Sequence, residues 1–113
     1  MNRLFLFWNI GKEVIEKQSL FDNIVERCSN HYSYTFGNST LFSRENIHQM
    51  KNFYLSFPIF SSRLETLSWE QYQLFLKIQN KKERYFYFSL SLFFHSNYEE
   101  TLEFLENQYF LRI

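Results

Sequence analysis

At 113 residues the chain has room for one core of domain size. Twelve Lys and Arg balance twelve Asp and Glu, so the bulk positive charge of many obligate nucleic-acid binders is missing and only a local basic patch can serve. One cysteine, Cys28, excludes an intramolecular disulfide framework and fits a reducing compartment, while 45% apolar content excludes disorder. Alanine is absent and Gly numbers only two against fifteen Phe, a usage expected of an AT-rich coding sequence. Rings in place of small residues hold helices apart and leave apolar surface outside, which favours self-association.

The apolar run from Leu4 to Trp8 follows Arg3, but Asn9, Lys12 and Glu13 end it before a secretory core forms. The next punctuation is Gly37-Asn38-Ser39, after which Ser43 can cap a helix. In that helix Ile47, Met50, Phe53, Tyr54 and Phe57 recur at helical spacing and leave Arg44, His48, Lys51 and Asn52 on the other side. Phe57-Pro58 closes it. Ser68 and Gln71 form a capping box ahead of the stripe Trp69, Tyr72, Leu76. After Gln79-Asn80, the residues Phe86, Phe88, Leu90, Leu92 and Phe94 alternate as a strand would. We assign a buried helix there, since a lone strand has no partner. The apolar run from Tyr85 to Phe94 has half the length of a membrane-spanning helix. Following Ser96, Asn97 and Glu100 repeat the capping layout, and Leu102, Leu105 and Tyr109 make the last stripe. The expectation is a single all-α domain over 1–113, a compact bundle of five to six helices, with no membrane segment and a cytoplasmic location.

Three stretches carry a resemblance. LFWNIGKEV at 6–14 looks like "LYWxIGxxI"; LFSRENIHQMKNFYLSFP at 41–58 looks like "GFSxxNLxxMRxFYxxFP"; and LSWEQY at 67–72 with ERYFY at 83–87 looks like "LSWSHY … ERxFY". In this order they resemble the N-terminal domain of the YhcG-type bacterial proteins across nearly the whole chain. The resemblance implies a helix-turn-helix-like, DNA-binding helical domain that in relatives precedes a PD-(D/E)xK nuclease domain, here standing alone. Gln71 replaces a frequent His of that family, and Glu99, Glu100 or Glu103 falls where its "NWSVRELERQI" segment is basic.

Catalytic chemistry is missing from the residues. A PD-(D/E)xK centre needs acidic metal ligands beside a Lys. This chain has one Asp, Asp22, and no Glu-x-Lys. It also lacks a glycine-rich phosphate loop and a Gly-x-Ser-x-Gly elbow. Cys28 with His31 is the single local hint of a metal site, and two ligands need two more; a small core thiol is the simpler reading. No cofactor or metal is expected, and the chain is not expected to be an enzyme.

Two basic groups remain as candidate nucleic-acid contacts. Arg44, His48, Lys51 and Asn52 share one helix face, with side chains that reach phosphates or base edges. Lys81 and Lys82, near Lys77 and Arg84, form the densest basic stretch. Each group also reads as an ordinary solvated face. Arg84, among aromatics, is expected to make an ion pair or to stack on a ring. Trp8 and Trp69 could stack on bases, although their apolar stripes make them core or interface anchors. The acidic run Glu99, Glu100, Glu103, Glu106 reads as a capped, solvated helix face. The leading function is thus a non-catalytic module for double-stranded DNA, with the Ser43–Tyr54 helix on the duplex. Its rival is a protein-interaction or oligomerisation module forming a homo-oligomer, or a truncated remnant that has lost DNA binding; a third reading is an adaptor that docks onto a separately encoded nuclease subunit.

Overall fold

The computed structural model describes residues 3–112, which form six α-helices and no strand. They are α1 (Arg3–Lys17), α2 (Ile24–Phe36), α3 (Arg44–Ser56), α4 (Trp69–Leu76), α5 (Lys81–Phe93) and α6 (Tyr98–Glu106), with 3₁₀ turns at Ser62–Thr66 and Tyr109–Arg112. The fold is all-α, and the alternating segment at 86–94 is helical. The chain divides into two compact units, Met1–Phe60 and Ser61–Ile113.

In the first unit α1 packs along α3, and α2 covers both. Leu4, Phe7, Ile10 and Val14 lie on one side of α1, and Ile47, Met50 and Phe53 on one side of α3; all seven are buried. Between them Gly11 permits an approach no other residue allows. A Cβ there would lie 2.0 Å from the Met50 carbonyl oxygen and 2.6 Å from its carbon. At the end of α3, the Trp8 indole Nε1 donates to the Phe57 carbonyl at 2.8 Å, satisfying a helix-end acceptor within the core. Ser43 accepts from the Asn46 amide at 3.2 Å, as a cap should. Gly37, with φ +63°, ends α2 in the left-handed conformation that glycine adopts freely.

The second unit is tied by a buried polar network that starts from the capping box of α4. Gln71 Oε1 accepts from the Ser68 amide at 2.8 Å, and Gln71 Nε2 donates to the Ser96 carbonyl at 2.8 Å and to Thr101 Oγ1 at 2.9 Å. Ser91 Oγ lies 3.0 Å from the same Thr101 hydroxyl. Gln71, Ser91 and Thr101 are all buried, so α4, α5 and α6 share one set of bonds that water does not contest. Asn97 and Glu100 complete the second expected capping box. Helix α5 ends in a Schellman motif: the Ser96 amide donates to the Ser91 carbonyl at 2.9 Å and the His95 amide to that of Leu92 at 3.2 Å. His95 itself sits at φ +51°, where glycine is usual.

Candidate nucleic-acid interface

Helix α3 positions the first candidate group. Arg44, His48, Lys51 and Asn52 follow the spacing i, i+4, i+7, i+8, so packing of Ile47, Met50 and Phe53 on the core turns them outward. Arg44, His48 and Asn52 are exposed and Lys51 is half-buried. Arg44 Nη2 meets Glu26 Oε1 of α2 at 3.3 Å with both side chains largely in solvent. A pair of this kind contributes about 0–1 kcal/mol, so a phosphate can displace the carboxylate at small cost.

The second group lies in the other unit. Lys77 is the C-cap of α4, and Lys81 and Lys82 open α5 behind the Asn80 cap. All three are exposed, and among the described residues none has an ion pair. Arg84 is employed differently. Its Nε and Nη2 donate to the Ile78 carbonyl at 3.0 and 2.8 Å, and Nη2 also reaches the Gln79 carbonyl at 3.3 Å. These bonds clamp the α4–α5 connection. That connection, residues 77–80, has the length of the turn in a helix-turn-helix.

Both tryptophans are core residues: Trp8 lies against Tyr54 and Phe60 at centroid distances of 5.1 and 5.7 Å, and Trp69 is buried. The acidic run on α6 is exposed, with Glu100 also closing its own cap.

Cys28 and His31 border a cavity of about 240 Å³ together with Glu13, Lys17 and Tyr32. Tyr32 donates to Glu13 Oε1 at 2.7 Å, and Lys17 Nζ donates to Glu13 Oε2 at 3.1 Å. Burial works to raise the Glu13 carboxyl, but these two bonds and the Lys17 charge carry it below its ordinary value. Burial pushes the Tyr32 phenol upward, and its bond to Glu13 adds to the effect. Burial likewise pushes the Cys28 thiol up to about 11, assisted by the Glu13 charge. A thiol so placed stays protonated at neutral pH, as a small core residue does. Among the described residues no three His, Cys, Asp or Glu side chains come together to hold a metal ion, and no helix is long and apolar enough to cross a membrane. The Glu13–Tyr32 pair has no signal in the sequence, because its members lie nineteen positions apart on different helices.

The chain belongs to the DUF1016 N-terminal domain family, which matches it over residues 2–112. This is the YhcG-type N-terminal domain that the motifs at 6–14, 41–58 and 67–87 resemble, a domain distinct from the nuclease. No curated protein and no solved structure matches the chain.

Proposed function

We propose that this chain is a non-catalytic DNA-binding module that docks α3 on a duplex. The observation that carries the reading is the outward stripe Arg44, His48, Lys51, Asn52, backed by a fully buried stripe that fixes its direction. Arg44 and Lys51 take phosphates, while His48 and Asn52 reach base edges. In the second unit, taken by itself, Lys81 and Lys82 are phosphate contacts too.

Fluorescence anisotropy of a labelled duplex, titrated at several salt concentrations, tests this. Binding should weaken steeply with salt, at about −0.9 per phosphate contact on log axes. Arg44→Glu with Lys51→Glu should abolish binding with helicity unchanged; unchanged binding overturns the assignment of α3.

A second reading, an interaction module for another copy or for a separately encoded nuclease subunit, is favoured by the exposure of Leu20, Tyr34 and Ile59 at 74%, 91% and 83%. Light scattering on the same sample distinguishes it: a dimeric mass with no duplex binding at low salt selects this reading.

A further inference from the structure

Helix α5 presents a surface of another kind. Lys81, Lys82, Tyr85, Ser89 and Phe93 are all exposed, and at 3.6 residues per turn they fall within an arc of roughly 120°. The helix has one acid, Glu83, which lies outside this arc and is half-buried. Two rings stand open on it, Tyr85 at 56% and Phe93 at 76% exposure. Toward its C-terminal end, Ser89 and Phe93 border a cavity of about 390 Å³ that Arg63, Thr66 and His95 also line. Arg63 has no ion pair among the described residues, and the Schellman motif fixes the His95 backbone. This face therefore combines open rings, unpaired cations, hydroxyls and a cavity of small-ligand size.

We propose that this face binds single-stranded nucleic acid. One unpaired base stacks on Phe93 and enters the cavity, another stacks on Tyr85, and Lys81 and Lys82 hold the backbone phosphates toward the start of the helix. The rise from Lys81 to Phe93 is about 18 Å, which at 3.4 Å per phosphate of a stacked strand spans about five nucleotides. A single strand fits because rings stack only on bases whose faces are open, and a duplex has closed those faces. A protein partner fits less well, since lysine is depleted from protein interfaces and this arc has two, unaccompanied by a carboxylate. The proposal rests on Lys81 and Lys82 being nucleic-acid contacts but not on the docking of α3.

The test uses the whole chain with a labelled 12-nucleotide oligo-dT and, separately, a labelled duplex. Tyr85→Ala and Phe93→Ala should each weaken oligo-dT binding about tenfold and leave duplex binding unchanged. Lys81→Glu with Lys82→Glu should weaken oligo-dT binding and lower its salt slope by about two contacts. Phe93→Trp should retain binding, and its added fluorescence should be quenched by oligo-dT. No oligo-dT binding at low salt, binding indifferent to both alanine variants, or a Phe93→Trp signal that does not change on binding each overturns the proposal. So does a dimer that the alanine variants dissociate in the absence of oligo-dT binding. If Arg44→Glu with Lys51→Glu leaves duplex binding intact while the oligo-dT pattern appears as described, the docking of α3 fails and this site stands.

Discussion

Gly11→Ala should loosen the first unit by an amount that follows from one distance. The new methyl would sit 2.0 Å from the Met50 carbonyl oxygen, about 1.4 Å inside ordinary contact, and the atom it meets is backbone. Since a helical carbonyl cannot swing aside as a flexible side chain would, α1 and α3 must part. A radial gap of about 0.5–1 Å already forfeits a quarter to a half of a dispersion contact. The six side chains facing each other here, Phe7, Ile10, Val14, Ile47, Met50 and Phe53, are all at most 1% exposed. Overpacking costs about 1–3 kcal/mol, and a backbone clash belongs at the upper end. Alanine returns about 1 kcal/mol of helix propensity. The net expectation is about 2 kcal/mol of destabilisation and a Tm lower by on the order of 10 °C. Thermal and urea melts followed by circular dichroism measure this, and Trp8 fluorescence in a Trp69→Phe background reports the first unit alone. A variant that melts at or above the parent temperature, as an ordinary helical Gly→Ala does, refutes the reasoning.

Gln71→Leu and Thr101→Val each open the network of the second unit and should each cost about 1–3 kcal/mol. Because both remove the same 2.9 Å bond, their combined cost should fall short of additive by at least about 0.5 kcal/mol in urea melts; strict additivity would mean that no network exists. The lowered Glu13 carboxyl contributes stability that is present above the ordinary carboxylate range and is lost as pH falls through its folded value. The raised Tyr32 phenol contributes stability that is present below about pH 10 and is lost as pH rises toward its folded value. Tyr32→Phe should therefore move the Glu13 midpoint upward in a carboxyl NMR titration, remove this alkaline loss, and cost about 1 kcal/mol at neutral pH. An unmoved midpoint contradicts the role given to the 2.7 Å bond.

What the sequence discloses about this fold is what lies close together in it. The caps at Ser43, Ser68, Asn80 and Asn97 each accept an amide three residues on, so residue type and spacing almost determine them. In α5 the pattern misleads for a physical reason. Phe86, Phe88, Leu90, Leu92 and Phe94 alternate, yet the helix buries Tyr87, Phe88 and Ser91 and leaves Phe94 exposed. With bulky apolar residues on every side, periodicity cannot say which face is inward; the hydrogen bond between the Ser91 and Thr101 hydroxyls helps to decide it, and those partners are ten positions apart. The candidate site was legible to the same extent. The α3 stripe is where its spacing puts it, but the Glu26 partner of Arg44, eighteen positions back, and the carbonyls that occupy Arg84 belong to tertiary structure.

The aromatic load has two uses, and separating them shows which rings are available to a ligand. Inside, rings fill the space that alanine would leave to closer helices, as Phe42 does among Phe7, Tyr32 and Phe36 at 6.2, 5.9 and 5.4 Å. Several of the interior rings also spend a polar atom on a chosen partner: Trp8 on the Phe57 carbonyl, Tyr72 on that of Leu64, Tyr87 on the Phe110 amide. Those bonds specify which ring goes where, something apolar filling alone does poorly. Outside, exposure by itself does not tell a nucleic-acid ligand from a protein partner. Leu20 and Ile59 are as open as Phe93. What sets Phe93 and Tyr85 apart is their company: two lysines without ion pairs among the described residues, an arc without a carboxylate, and a 390 Å³ cavity walled by one of the rings. A solvated helix face has no need of that combination, whereas an unpaired base needs a ring to stack on, a cation for its phosphate and a recess for its edge.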